Sequence, residues 1–133
     1  AQTSQINNWD LVDTSCYKIL GHYCFHQNRE ELLFELADSE DLWEKRIAIV
    51  STMYFIKQKS FSIVSEIVLK NLHHSHDLMH KANGWMLREM GKMDEEKLIE
   101  FLDEYTLQMP RTTLRYALEK IDPILKDYYM KLK

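Results

Sequence analysis

The sequence predicts an all-α protein, a solenoid of about eight helices folded as antiparallel pairs, and three observations carry that prediction. Apolar residues recur at spacings of three and four along the whole chain, with no strand-like alternation. The 133 residues hold only three glycines and two prolines, too few to punctuate a β-rich fold. Ser39-x-Asp41-Leu42-x-x-Lys45 returns 36 residues later as Ser75-x-Asp77-Leu78-x-x-Lys81, and Asp10-Leu11 precedes Asp41-Leu42 by 31. Two helices per period of that length is the signature of a helical-repeat solenoid, whose stacked pairs form a curved body with a concave binding face.

The first helix is expected over 9–24. Trp9, Asp13, Cys16 and Leu20 follow the 4, 3, 4 spacing of one stripe, which sets a carboxylate beside an indole on an otherwise apolar face. From these residues alone the simpler reading is that Asp10 or Asp13 caps the helix and Trp9 is core. Cys16 and Cys24 stand about 12 Å apart along the axis at ~1.5 Å per residue, too far for a disulfide, and read as reduced thiols. Cys24 lies between His22 and His26, but it points away from the face that an i, i+4 histidine pair shares, so a metal is not expected there.

Helices follow over 28–38, 40–58 and 61–73, with Asn28, Ser39 and Ser60 as start signals. The 40–58 helix is apolar nearly all the way round, as a helix covered on both sides should be. Arg46 falls within its Leu42, Ile49, Met53, Ile56 stripe. A buried guanidinium without a counter-charge costs several kcal/mol, so Arg46 needs Asp13, Glu44 or a phosphate.

The next helix, over 76–91 after Ser75, carries Lys81, Trp85, Arg88 and Lys92 at spacings of 4, 3 and 4. Cations track phosphates and an aromatic offers a surface to sugar or base, so this stripe points to nucleic-acid contact. Gly84 beside Trp85 permits close backbone approach. His73, His74, His76 and His80 lack the Glu of a His-Glu-x-x-His zinc motif and read as surface residues. Helices over 94–108, 111–121 and 123–131 complete the chain, signalled by Asp94, by Thr112 or Thr113, and by Pro110 and Pro123 in first-turn positions.

The length suits one domain over 1–133. No apolar run is long enough to span a bilayer and the polar start lacks signal-peptide design, so a cytoplasmic protein is the default expectation. The net charge of −4 conceals an uneven distribution: residues 42–92 hold 8 Lys/Arg against 4 Asp/Glu, whereas residues 1–41 hold 2 against 8. The middle of the chain can therefore accept phosphates although the whole is not strongly basic. No Gly-rich phosphate loop, Gly-x-Ser-x-Gly elbow or Cys/His dyad supports nucleotide hydrolysis or acyl transfer.

All three tryptophans lie in three ordered strings: Asn8-Trp9-Asp10-Leu11-Val12-Asp13, Leu42-Trp43-Glu44-Lys45-Arg46 and Gly84-Trp85-Met86-Leu87-Arg88-Glu89. In order and surroundings, from about Asn8 to Leu118, the chain resembles the AlkD-type DNA alkylation repair enzymes. These are glycosylases of HEAT-like repeats that excise N3- and N7-alkylated purines. The resemblance implies Asp13 as the catalytic carboxylate, with Trp9, Trp85 and Arg46 in the catalytic group. It implies DNA contacts from Arg88, Lys81, Lys92 and Trp43. It implies double-stranded DNA carrying alkylated purines as the partner, recognised from the backbone side with the lesion left stacked, and neither metal nor cofactor. Members carry further helices before this point, so the chain is expected to be the later part of a longer protein and weak or inactive alone. A non-catalytic DNA-binding relative and a protein-binding repeat scaffold are the alternatives.

Overall fold

A computed structural model describes residues 16–132, and each of its regular elements is helical. A π-helical segment, Cys16–Gly21, runs directly into α1 (His22–His26). Then come α2 (Glu30–Ala37), α3 (Leu42–Lys57) and α4 (Ser62–Lys70). They are followed by α5 (Asp77–Met93) and by α6 (Glu95–Tyr105), which tightens into the 3₁₀ turn Thr106–Gln108. The chain closes with α7 (Arg111–Ala117) and α8 (Pro123–Met130). Each expected helix has its counterpart. The 9–15 part of the first lies outside the described residues, and with it Trp9 and Asp13.

Two layers result. The segment Cys16–Gly21, α3, α5 and α7 pack side by side in chain order, while α2 and α4 lie against α3, and α6 lies against α5. At the far end the Tyr129 hydroxyl donates to Asp103 Oδ1 at 2.6 Å, tying α8 to α6, and Arg111 Nη1 donates to the Met130 carbonyl at 2.8 Å, tying α8 to the start of α7. α3 is enclosed as its sequence required. Ala48, Ile49, Val50, Met53, Phe55 and Ile56 are buried, and so are Arg46, Ser51 and Thr52.

Between the layers a buried polar cluster fixes how α2, α3, α4 and α5 meet. Lys45 Nζ donates to the Ala37 carbonyl and to Asn71 Oδ1, both at 3.1 Å. Asn71 Nδ2 donates to the same Ala37 carbonyl at 3.2 Å, and Asn83 Nδ2 donates to the Asn71 carbonyl at 3.2 Å. The last carbonyl of α2, orphaned by helix termination, is thereby satisfied, and the carbonyl of Asn71, just past the end of α4, takes a second donor besides the His74 backbone N–H.

Helix starts agree only in part with the sequence signals. Asp41, Asp94 and Asp122 cap α3, α6 and α8 by accepting from Trp43, Glu96 and Ile124 backbone N–H at 2.8, 3.1 and 3.1 Å. Pro123 opens α8 as expected. Ser39 supports Asp41 by accepting its backbone N–H at 3.0 Å instead of capping directly. Asn28 is no cap; it adopts a left-handed φ of 56°, which asparagine tolerates, and turns the chain between α1 and α2. Neither Ser60 nor Ser75 occupies a cap position. For α7, Pro110 holds that position, and Thr113 Oγ1 donates across to the His80 carbonyl at 3.0 Å.

The histidine-rich turn provides the start of α5. His76 Nδ1 accepts from Leu78 N–H at 3.1 Å, His74 Nδ1 accepts from His76 N–H at 3.0 Å, and His80 Nε2 bonds to the His74 carbonyl. Acceptance at Nδ1 requires a neutral ring protonated at Nε2. The repeat is thus conserved in pattern but not in capping: Asp41 is a cap, whereas its counterpart Asp77 is the first helical residue and pairs with Lys81 at 3.3 Å. Desolvation, reinforced by Lys45, holds His74 below its ordinary value of 6.5. The unfolded chain therefore takes up this proton first, so stability is present above pH 6.5 and is lost as pH falls below it. Thermal denaturation should show a falling Tm between pH 7 and 5, with a flatter profile in His74→Asn, which keeps an acceptor without the titration.

Candidate nucleic-acid interface

Arg46 of α3 and Lys81, Trp85 and Arg88 of α5 line one open cavity of about 300 Å³, together with Ala82 and Tyr116. Every one of these residues comes from α3, α5 or α7, so the cavity belongs to the single layer those helices form. Three of them, Lys81, Trp85 and Arg88, share a face by their 4, 3 spacing, as the stripe predicted. Lys92, one turn further, lines a neighbouring cavity of about 60 Å³ that Arg88 also borders. Trp43, one turn before Arg46, is partly buried and is not among the described residues lining either cavity.

Arg46 is 8% exposed. Its Nη1 donates to the Leu78 carbonyl at 3.1 Å, a bond that anchors the guanidinium between the middle of α3 and the first turn of α5. Trp85 is half-buried: part of the indole packs on the core and the rest borders the cavity. Such a ring is an amphipathic platform, immobile because one side is packed.

The cations are internally paired. Lys81 meets Asp77 and Lys92 meets Glu89, each at 3.3 Å within α5. Arg88 bonds to Glu119, beyond the end of α7, and lies 3.9 Å from Glu89. The locally basic stripe therefore carries its own counter-charges, in keeping with an acidic chain.

Sequence reasoning missed Tyr116 and Glu119. Both approach from α7 and the turn after it, brought to α5 by Gly84. A Cβ there would fall against Tyr116 Cβ and 2.6 Å from the Thr113 carbonyl oxygen, so α5 and α7 touch backbone to backbone at this point. The close approach that Gly84 permits is thus to a helix of the same chain. Gly21 plays the corresponding part between the first helix and α3, 2.6 Å from the Ser51 carbonyl oxygen by the same construction.

Cys24 is fully buried while His22 and His26 on either side are exposed, with their rings 4.3 Å apart. Burial, and next the nearby Glu31, push the Cys24 thiol above its ordinary value, leaving it an inert core residue. No helix among the described residues is long and apolar enough to cross a membrane.

Stacked helix pairs in two layers, with a rigid indole and several guanidinium and ammonium groups at one open cavity, define a helical-repeat protein suited to a polyanionic partner. The model of the DNA alkylation repair enzyme family matches residues 1–121. The chain belongs to that family. No curated protein sequence matches it.

Proposed function

We propose that the protein is a DNA glycosylase that hydrolyses the N-glycosidic bond of N3- and N7-alkylated purines in duplex DNA. The observation that carries this reading is the meeting of Arg46, Lys81, Trp85 and Arg88 at one cavity in a chain of the DNA alkylation repair family. An alkylated purine is cationic. When the glycosidic bond breaks, its electron pair neutralises the base, and the sugar takes on oxocarbenium character. Water then adds to the anomeric carbon and loses a proton. A leaving group of this kind needs little acid catalysis, and the task left to the protein is electrostatic stabilisation of the sugar cation.

In this mechanism Asp13 supplies the negative charge and orients the water. Trp9 and Trp85 hold the charged nucleotide by stacking and cation–π contact, worth ~0.5 to 2 kcal/mol each. Arg46 and Arg88 hold backbone phosphates beside the lesion, while Lys81, Lys92 and Trp43 extend the contact along the duplex. Lesion recognition from the backbone side suits so open a cavity better than a flipped base does.

Single-turnover release of 7-methylguanine from methylated duplex tests the reading. Release above the spontaneous rate is expected, reduced by Trp85→Ala, with Lys81→Ala and Lys92→Ala weakening binding and lowering its salt dependence. A chain that binds the duplex yet releases no base would be a non-catalytic DNA-binding relative.

A further inference from the structure

The three cations of the α5 stripe are not equally available to a phosphate. The Lys81–Asp77 and Lys92–Glu89 pairs join neighbours on one helix face, and their lysine side chains are 44% and 49% exposed. Such pairs contribute little and exchange readily with another anion. Arg88 differs. Its side chain is 19% exposed, it borders both cavities of this face, and its Nη1 bonds to a carboxylate 31 residues away in sequence. Glu89 cannot serve Arg88 alone, since it lies 3.9 Å from Arg88 Nε and also holds Lys92.

Glu119 has a second place to go. Its side chain is 56% exposed, and it lines a separate cavity of about 370 Å³ with Arg115 and Lys126. Neither Arg115 nor Lys126 forms an ion pair among the described residues. A carboxylate leaving Arg88 can turn toward these two cations without being stranded beside incoming DNA.

We propose that Glu119 is the residue that sets DNA affinity at Arg88: its carboxylate holds the guanidinium in the free protein and yields it to a backbone phosphate by turning toward Arg115 and Lys126. This rests on the reading of the α3–α5–α7 face as DNA-binding, and deepens it. Arg88 stays oriented when no DNA is present, and every phosphate it meets must displace an anion already in place. The cost applies to damaged and undamaged duplex alike, so it lowers residence on the large excess of undamaged DNA.

A double-mutant cycle decides the matter. Equilibrium affinities of wild type, Glu119→Gln, Arg88→Ala and the double variant are measured for an undamaged duplex and for one carrying 7-methylguanine. Glutamine is isosteric and the site is exposed, so folding is retained, as circular dichroism will verify. Glu119→Gln should tighten both duplexes between about twofold and fivefold, the range for exchange of a partly exposed ion pair, and should have no effect once Arg88 is alanine. Unchanged or weaker binding by Glu119→Gln, or an equal gain in the Arg88→Ala background, overturns the role of Glu119 while leaving DNA binding intact. Failure of the wild type to bind either duplex would overturn the DNA-binding reading itself, and this inference with it.

Discussion

Asp13→Asn should slow single-turnover release of 7-methylguanine by on the order of 10²-fold or more while changing DNA affinity by no more than about twofold. The asymmetry follows from when the charge acts. In the ground state the positive charge of the lesion resides on the purine, whereas in the transition state it migrates toward the sugar ring. A carboxylate placed for the sugar gains its main interaction only there, and removing it raises the barrier more than it weakens the complex. Asparagine keeps size and hydrogen-bonding capacity, so the loss reports charge. Pre-steady-state release assays and duplex titrations on the same protein give both quantities, and parallel losses in the two would reassign Asp13 to binding.

Arg46 should behave differently. A residue that is 8% exposed and donates to the Leu78 carbonyl has a structural duty in addition to any phosphate contact. Substituting it should therefore lower stability as well as activity, a pattern that Asp13→Asn should not share if its role is confined to the sugar cation.

Much of this architecture was legible because it is local. The 3–4 spacing of apolar residues and the scarcity of glycine and proline determine helices wherever they occur, and α3 announced its burial by being apolar on all sides. The stripe of Lys81, Trp85 and Arg88 was readable for the same reason: a single helix brings those residues together. What escaped was long-range. Tyr116 reaches the cavity from α7, and Glu119 meets Arg88 across a separation of 31 residues; no window of sequence records such contacts. Caps escaped for a different reason. Histidine is an ordinary surface residue until its neighbours leave Nδ1 facing a helix start, and the turn that does this at His74 and His76 is set by the packing of α4 against α5.

Gly84→Ala should destabilise the protein by about 2 kcal/mol, although alanine is the better helix former by ~1 kcal/mol in an exposed helix interior. The sign is decided by what the new methyl group meets. At Gly84 it meets the Thr113 carbonyl oxygen at 2.6 Å, together with Tyr116 Cβ. These atoms belong to the backbone and the stem of α7, which cannot turn aside as a side-chain tip can, so α7 as a whole must withdraw from α5. That withdrawal would also break the bond from Thr113 Oγ1 to the His80 carbonyl and draw Tyr116 away from Trp85 and Arg88. Gly91 on the same helix is the control. There the nearest atom is Leu98 Cδ2, the far end of a flexible side chain, with Leu98 Cβ next at 3.2 Å. Leu98 can change rotamer, and Gly91→Ala should lie within about 0.5 kcal/mol of wild type, the propensity gain offsetting the repacking. Thermal and urea denaturation of the two variants measures the difference. At temperatures where both remain folded, Gly84→Ala alone should also bind DNA more weakly, because the cavity on α5 keeps its shape only while α7 lies hard against Gly84.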